Sequence, residues 1–177
     1  MDYSLLFTPV TIESLDLAED ALHPQSLANT VLFYNPEVPV DIQEAQIAIM
    51  GVPESRNSYQ NGSCSLAPDE IRRQFYQLYR WQDNVRIIDM GNLIIGKTPE
   101  DTYELLSDLI ADMLEKKVIP VILGGGNDLV YANYRAYEKI EKVVNVVAVD
   151  SRFDLGAENQ PIRSDAYLNK MVLQQPN

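Results

Sequence analysis

The chain has 177 residues, 46% of them hydrophobic and 23% charged, the composition of one globular domain with a real core. Its 26 acidic residues against 14 basic ones give a formal net charge of -12, which repels phosphate backbones and anionic lipid and excludes nucleic acid and membrane surfaces as expected partners. The amino terminus lacks a basic start with an apolar core behind it, and no apolar run approaches the roughly 20 residues of a bilayer span, so a cytoplasmic location is expected.

Residues 1–45 are interrupted by Pro9, Pro24, Pro36 and Pro39 and hold no sustained apolar period. They predict an irregular amino-terminal extension with one short helix near Leu15–Leu22, packed on the domain that follows. From Gln46 onward strand and helix patterns alternate. Ile47–Val52 is a compact apolar run ended by glycine and proline, which suits a central strand. A polar loop from Pro53 to Ala67 leads to Pro68-Asp69-Glu70, a helix start with proline and acids in the first turn, continued by Ile71, Phe75 and Leu78 on one face. The single cysteine, Cys64, lies in that loop; it can form no intrachain disulfide and reads as a structural thiol.

Val85–Met90 predicts the second strand, closed by Gly91-Asn92. Thr98-Pro99-Glu100-Asp101 supplies an N-cap with proline at the first helical position, and a long helix follows to about Lys117. Ile119–Leu123 is the third strand, residues 128–140 a helix, Val143–Val149 the fourth strand, and Ser164 to about Gln174 a last helix. The alternation favours an α/β fold: a mostly parallel sheet with helices on both faces, in three layers. Four such strands leave a long apolar edge, which predicts association of copies through that edge or a carboxyl-terminal half absent from this chain.

Several of these landmarks together resemble one family. Gly51-Val52-Pro53, Asn61-Gly62 and Ala67-Pro68-Asp69-Glu70-Ile71-Arg72 look like the opening of the arginase, agmatinase and formimidoylglutamase (ureohydrolase) family. Asp89-Met90-Gly91-Asn92 is similar to its D-x-G strand end, Ile119–Gly125 to the strand before its G-G-D-H motif, and Val149–Asp154 to its D-A-H-x-D motif. The resemblance covers roughly Gln46 to Leu155, and the extended amino terminus is most similar to the formimidoylglutamase branch. It implies an arginase-like α/β/α fold, of which this chain carries the amino-terminal half of the domain in residues 46–177. It also implies a binuclear manganese centre whose bridging hydroxide attacks a guanidino or formimino carbon.

Carried over residue by residue, Asn127 falls on the family's first histidine ligand and Gly126 on the aspartate before it. Asp150 and Asp154 match carboxylate ligands, and Arg152 falls on the second histidine. The resemblance places two further carboxylates in a second-half motif that does not occur here, and the one histidine of the chain, His23, lies far upstream. A carboxamide is a weak neutral ligand and a guanidinium a permanent cation that repels metal. The candidate site is therefore Asn127, Asp128, Asp150, Arg152 and Asp154. If the strand continued, residues 150, 152 and 154 would share a side, and the Arg152 guanidinium would stand between the two carboxylates in place of metal. No cofactor is expected on this reading, and Mn2+ is the alternative.

Other features have plainer readings beside functional ones. Gly124-Gly125-Gly126 before a helix resembles a phosphate cradle, but lacks a recognised phosphate-loop pattern and has Asp128 at the helix start; close approach to a neighbouring strand end is the simpler role. Tyr131, Tyr134 and Tyr137 recur at helical spacing and read as packing residues rather than a ligand stack. Asp89 could orient Asn127 or Arg152, or serve as an ordinary turn residue. Two functions follow. One is a family member that is catalytically impaired or inactive and acts as a structural, binding or regulatory protein, with a small guanidino or formimino ligand and self-association as expected interactions. The other is a C–N hydrolase of linear amidines, of formimidoylglutamase or agmatinase type, with a rewired site completed by a carboxyl-terminal half or another subunit.

Overall fold

The strand Ile47–Val52 (β3) is the axis of the sheet, and its alternation assigns the two faces. The computed structural model describes residues 1–18, 22–38, 41–80, 84–157 and 160–173. Ala48, Met50 and Val52 join one core with residues of the helices Pro99–Glu115 (α2) and Leu129–Lys139 (α3). Ile47 and Ile49 face the other way, toward Tyr76 behind the helix Ala67–Phe75 (α1) and toward Leu15, Leu27 and Val31 of the amino-terminal segment. The arrangement is three layers with the sheet in the middle.

Among the described residues the sheet has five strands. β3 pairs parallel with Ile87–Leu93 (β4) on one side and with Ile119–Gly124 (β5) on the other. Residues 1–45 are more regular than their prolines predict. They supply Phe7–Thr8 (β1), antiparallel to β4, and Leu32–Phe33 (β2), parallel to it, so two short strands cover the outer edge of β4. The helix expected near Leu15–Leu22 does not form over the described part: residues 12–16 are turns, and 19–21 lie outside the described residues.

Helix positions follow the local signals. Thr98 and Asp101 form a reciprocal capping box at 3.1 and 2.9 Å, with Pro99 at the first turn of α2. α2 stops at Glu115, and Lys117 just beyond it adopts a positive φ of 63°. The last helix is shorter than expected, Leu168–Leu173 (α4), and Gln174 lies outside the described residues.

The fourth strand is the main departure. Val143–Val149 joins no sheet; Val143, Val147 and Val149 are 102%, 87% and 99% exposed. β-branched composition makes the run strand-competent, but a strand exists only with a partner edge, and among the described residues none pairs with it. No helix among the described residues is long and apolar enough to cross a membrane.

Candidate functional site

The carboxyl ends of β3 and β5 are held together by a backbone contact. Gly125 passes so close to Glu54 that a Cβ on it would stand 1.8 Å from the Glu54 carbonyl oxygen, which also accepts the Gly126 N–H at 3.0 Å. The glycines thus serve close approach between strand ends. Glu54 itself is fully buried, accepting from Arg56 Nε at 2.9 Å and Nη2 at 2.5 Å and from Thr102 Oγ1 at 3.1 Å. Arg56 Nη1 donates onward to the Lys97 carbonyl at 2.6 Å, so one ion pair ties the end of β3 to the start of α2.

Burial pushes the Glu54 carboxyl up, but its Arg56 and Thr102 hydrogen bonds outweigh this and leave it below its ordinary value of 4.5. A depressed carboxylate contributes stability that is present above its unfolded pKa and lost as pH falls through the folded one. Glu54→Gln should therefore cost about 1.5–3 kcal/mol at pH 7. In urea titrations across pH, the gap to wild type should close below about pH 4.

A second buried pair sits between α1 and β4. Arg72 Nε and Nη2 each donate to Asp89 at 2.8 Å, Nη1 donates to Asn92 Oδ1 at 2.6 Å and Nη2 to the Gly91 carbonyl at 3.0 Å. The Tyr76 hydroxyl donates to the same Asp89 carboxylate. Asp89 is thus committed to Arg72 and Tyr76 and orients neither Asn127 nor Arg152. Composition gave no sign of this pairing, because its members are 17 residues apart and meet only through the helix-on-sheet packing.

The predicted site residues divide into three groups. Asn127, Asp150 and Asp154 come together: Asn127 Nδ2 donates to Asp150 Oδ2 at 2.8 Å, and both neighbour the buried Asp154. Burial pushes the Asp154 carboxyl up, with the Asp150 charge adding to it, and one Asp154 oxygen has no hydrogen-bond partner. Asp128 turns away instead. Its Oδ2 accepts from the Tyr103 hydroxyl at 2.5 Å, which in turn accepts from Asn57 at 2.9 Å, and burial raises its pKa. Gly126, with no side chain, leaves room for Asp128 Oδ1, which a Cβ there would meet at 2.0 Å.

Arg152 stands apart. It is exposed, its side chain forms no hydrogen bond or ion pair among the described residues, and only its backbone N–H reaches Asp150, at 3.2 Å. The expected guanidinium bridge between Asp150 and Asp154 is absent because the chain bends at Ser151–Arg152 instead of continuing extended, so alternation of sides does not hold. The other candidates are structural. Cys64 is buried and free, Tyr131 packs edge-on against Tyr103 at 6.3 Å, and His23 stacks by Tyr79 at 4.7 Å.

Two carboxylates and an amide do not make a binuclear donor set. Asn127 presents its N–H to Asp150, so the amide serves a carboxylate as donor, and no group of three or more His, Cys, Asp or Glu side chains among the described residues could hold a metal ion. Glu54, Arg56, Asn57, Thr102 and Tyr103, which shape this end of the sheet, carried no motif that a sequence reading could single out.

Comparison with known proteins agrees with this architecture. The model of the arginase family matches residues 45–174. A formimidoylglutamase of Lysinibacillus sphaericus is 26% identical over 127 residues, which are 69% of this chain and 39% of that protein. One of Streptococcus gordonii is 26% identical over 152 residues, 80% of this chain and 46% of that protein. The chain thus spans less than half the length of these relatives. The crystal structure of Trypanosoma cruzi formiminoglutamase with Mn2+ superposes with a TM-score of 0.67 at 21% identity, covering 95% of this chain and 54% of that one, a likeness of fold. The chain belongs to the arginase family, and its similarity runs to the formimidoylglutamases within it.

Proposed function

We propose that this chain is a formimidoylglutamase-like member of the arginase family that no longer performs metal-dependent hydrolysis and acts as a binding or regulatory protein. The observation that carries this reading is the Asn127–Asp150 hydrogen bond: at a position where the family resemblance calls for an imidazole ligand, an amide donates to the neighbouring carboxylate. Arg152, at the second histidine position, brings no imidazole donor to these carboxylates, and only its backbone N–H reaches Asp150. A pair of divalent ions needs several anionic or imidazole donors to lower the pKa of a bridging water, and Asp150 and Asp154 alone fall short of that.

The competing reading is a C–N hydrolase completed by a carboxyl-terminal half or a partner subunit. The unpartnered buried oxygen of Asp154 favours it, since such an atom is the kind a bound cation satisfies. One experiment separates the two. Purified protein is loaded with Mn2+, dialysed, analysed for metal and assayed with formiminoglutamate, agmatine and arginine. The expected outcome is no retained metal and no product; near-stoichiometric manganese with turnover of any of the three substrates establishes the hydrolase instead.

A further inference from the structure

Gly125 and Gly126 lack side chains for different reasons. At Gly125 the obstacle is the Glu54 backbone, which cannot move aside. At Gly126 the backbone is outside the left-handed region, and the atom that an added Cβ would strike is Asp128 Oδ1, at 2.0 Å, while Ser58 Cβ stands at an ordinary 3.4 Å. The space beside position 126 is therefore open to a side chain, and the carboxylate of Asp128 fills it. Asp128 forgoes its local use to do so. It stands at the N-cap of α3, where an aspartate ordinarily accepts from the first turn, yet it makes no capping bond. It is fully buried, and its Oδ1 has no hydrogen-bond partner among the described residues.

We propose that Asp128 supplies from position 128 the buried carboxylate that the family resemblance places at 126, and that it is a positioning residue for the loop after β3. The two positions open onto one space, which holds one carboxylate. From that space Asp128 Oδ2 accepts the Tyr103 hydroxyl proton at 2.5 Å, so the hydroxyl meets Asn57 as an acceptor, taking its Nδ2–H at 2.9 Å. Tyr103 is buried, and a hydroxyl left there without its acceptor has little access to solvent. The Glu54–Arg56 pair fixes the start of the loop to α2, and the relay from Asp128 through Tyr103 to Asn57 fixes its next turn. Ser58 follows directly and abuts Gly126, so the relay holds the loop against the strand ends beside Asn127. This role involves no metal and no turnover, so its outcome is independent of the hydrolysis assay.

The test moves the carboxylate back. Gly126→Asp is made in the full chain and in an Asp128→Gly background, glycine being an accepted N-cap residue. Urea unfolding gives stability, and amide exchange at Arg56 and Ser58, whose N–H groups bond within the loop, gives loop order. In the wild-type background Gly126→Asp should lower the urea midpoint, because two carboxylates then compete for one space. In the Asp128→Gly background it should raise the midpoint. Asp128→Gly and Tyr103→Phe should each speed exchange at Arg56 and Ser58 about tenfold, with α2 and α3 little changed. Asp128→Asn, which keeps an acceptor for Tyr103, should retain loop protection, and so should Gly126→Asp with Asp128→Gly. Gly126→Ala with Asp128→Gly, which fills space without an acceptor, should not. A midpoint lowered by Gly126→Asp in both backgrounds overturns the shared space, and loop exchange unchanged in Asp128→Gly or Tyr103→Phe overturns the positioning role.

Discussion

Arg72→Met should unfold at a markedly lower urea concentration than wild type, with a loss of about 3–5 kcal/mol, because it leaves the buried Asp89 carboxylate without its counter-ion. Both members of the pair have fully buried side chains, so solvent cannot take over the lost hydrogen bonds. Arg72→Lys should recover only part of the loss. A lysine reaches Asp89 as a point charge, whereas the guanidinium serves Asp89, Asn92 and the Gly91 carbonyl from one rigid fork. Removing both partners, as Arg72→Met with Asp89→Leu, should cost less than the sum of the two single changes. Additive losses in that double-mutant cycle would show that the two residues are not coupled as the geometry demands.

Gly125→Ala should also be strongly destabilising. Its Cβ would stand 1.8 Å from the Glu54 carbonyl oxygen and 2.7 Å from the carbonyl carbon, and backbone cannot rotate away as a side-chain tip can. The ends of β3 and β5 must separate, which strains the Gly126 N–H bond to the same oxygen. Overpacking of this kind costs about 1–3 kcal/mol or more. Thermal unfolding should show the loss, and amide exchange should show it concentrated in Val52–Glu54 and Gly124–Asn127. Gly62→Ala is the control, since nothing lies within 4 Å of its added Cβ, and its melting temperature should stay near wild type.

Much of the fold was legible in the sequence because its signals are local. The apolar run at Ile47–Val52, the N-cap at Thr98 and the prolines at the first turns of α1 and α2 each act within a few residues, and the structure has these elements in place. Val143–Val149 has the composition of a strand, but strand formation is a property of two edges, and the sequence of one run holds no information about whether an edge lies beside it. The two short strands of the amino-terminal segment were missed for the complementary reason: two residues give no period to read, and β4 alone makes them strands.

The candidate site divides along the same line. Family motifs brought Asn127, Asp150 and Asp154 to attention, and the structure joins them. Arg152 was paired with the two aspartates by extrapolating strand alternation past Asp150, and the bend at Ser151–Arg152 breaks that geometry. Arg72 and Asp89 were each legible as motif residues, but their pairing was not, because that contact spans a helix, a loop and a strand.

By itself the sequence determined the chemical inventory: an amide and a guanidinium where the family resemblance calls for imidazoles, two retained carboxylates, and the order of the central strands and helices. Only the tertiary structure decided which of those groups meet, that Asn127 donates to Asp150, that Asp128 belongs to Tyr103, that Arg152 stands free in solvent, and that the valine run lies unpaired. The physical reason is one of range. Propensity, capping and residue chemistry act over a few neighbouring residues, whereas a hydrogen bond between strand ends or a strand's membership of a sheet depends on where distant segments are packed.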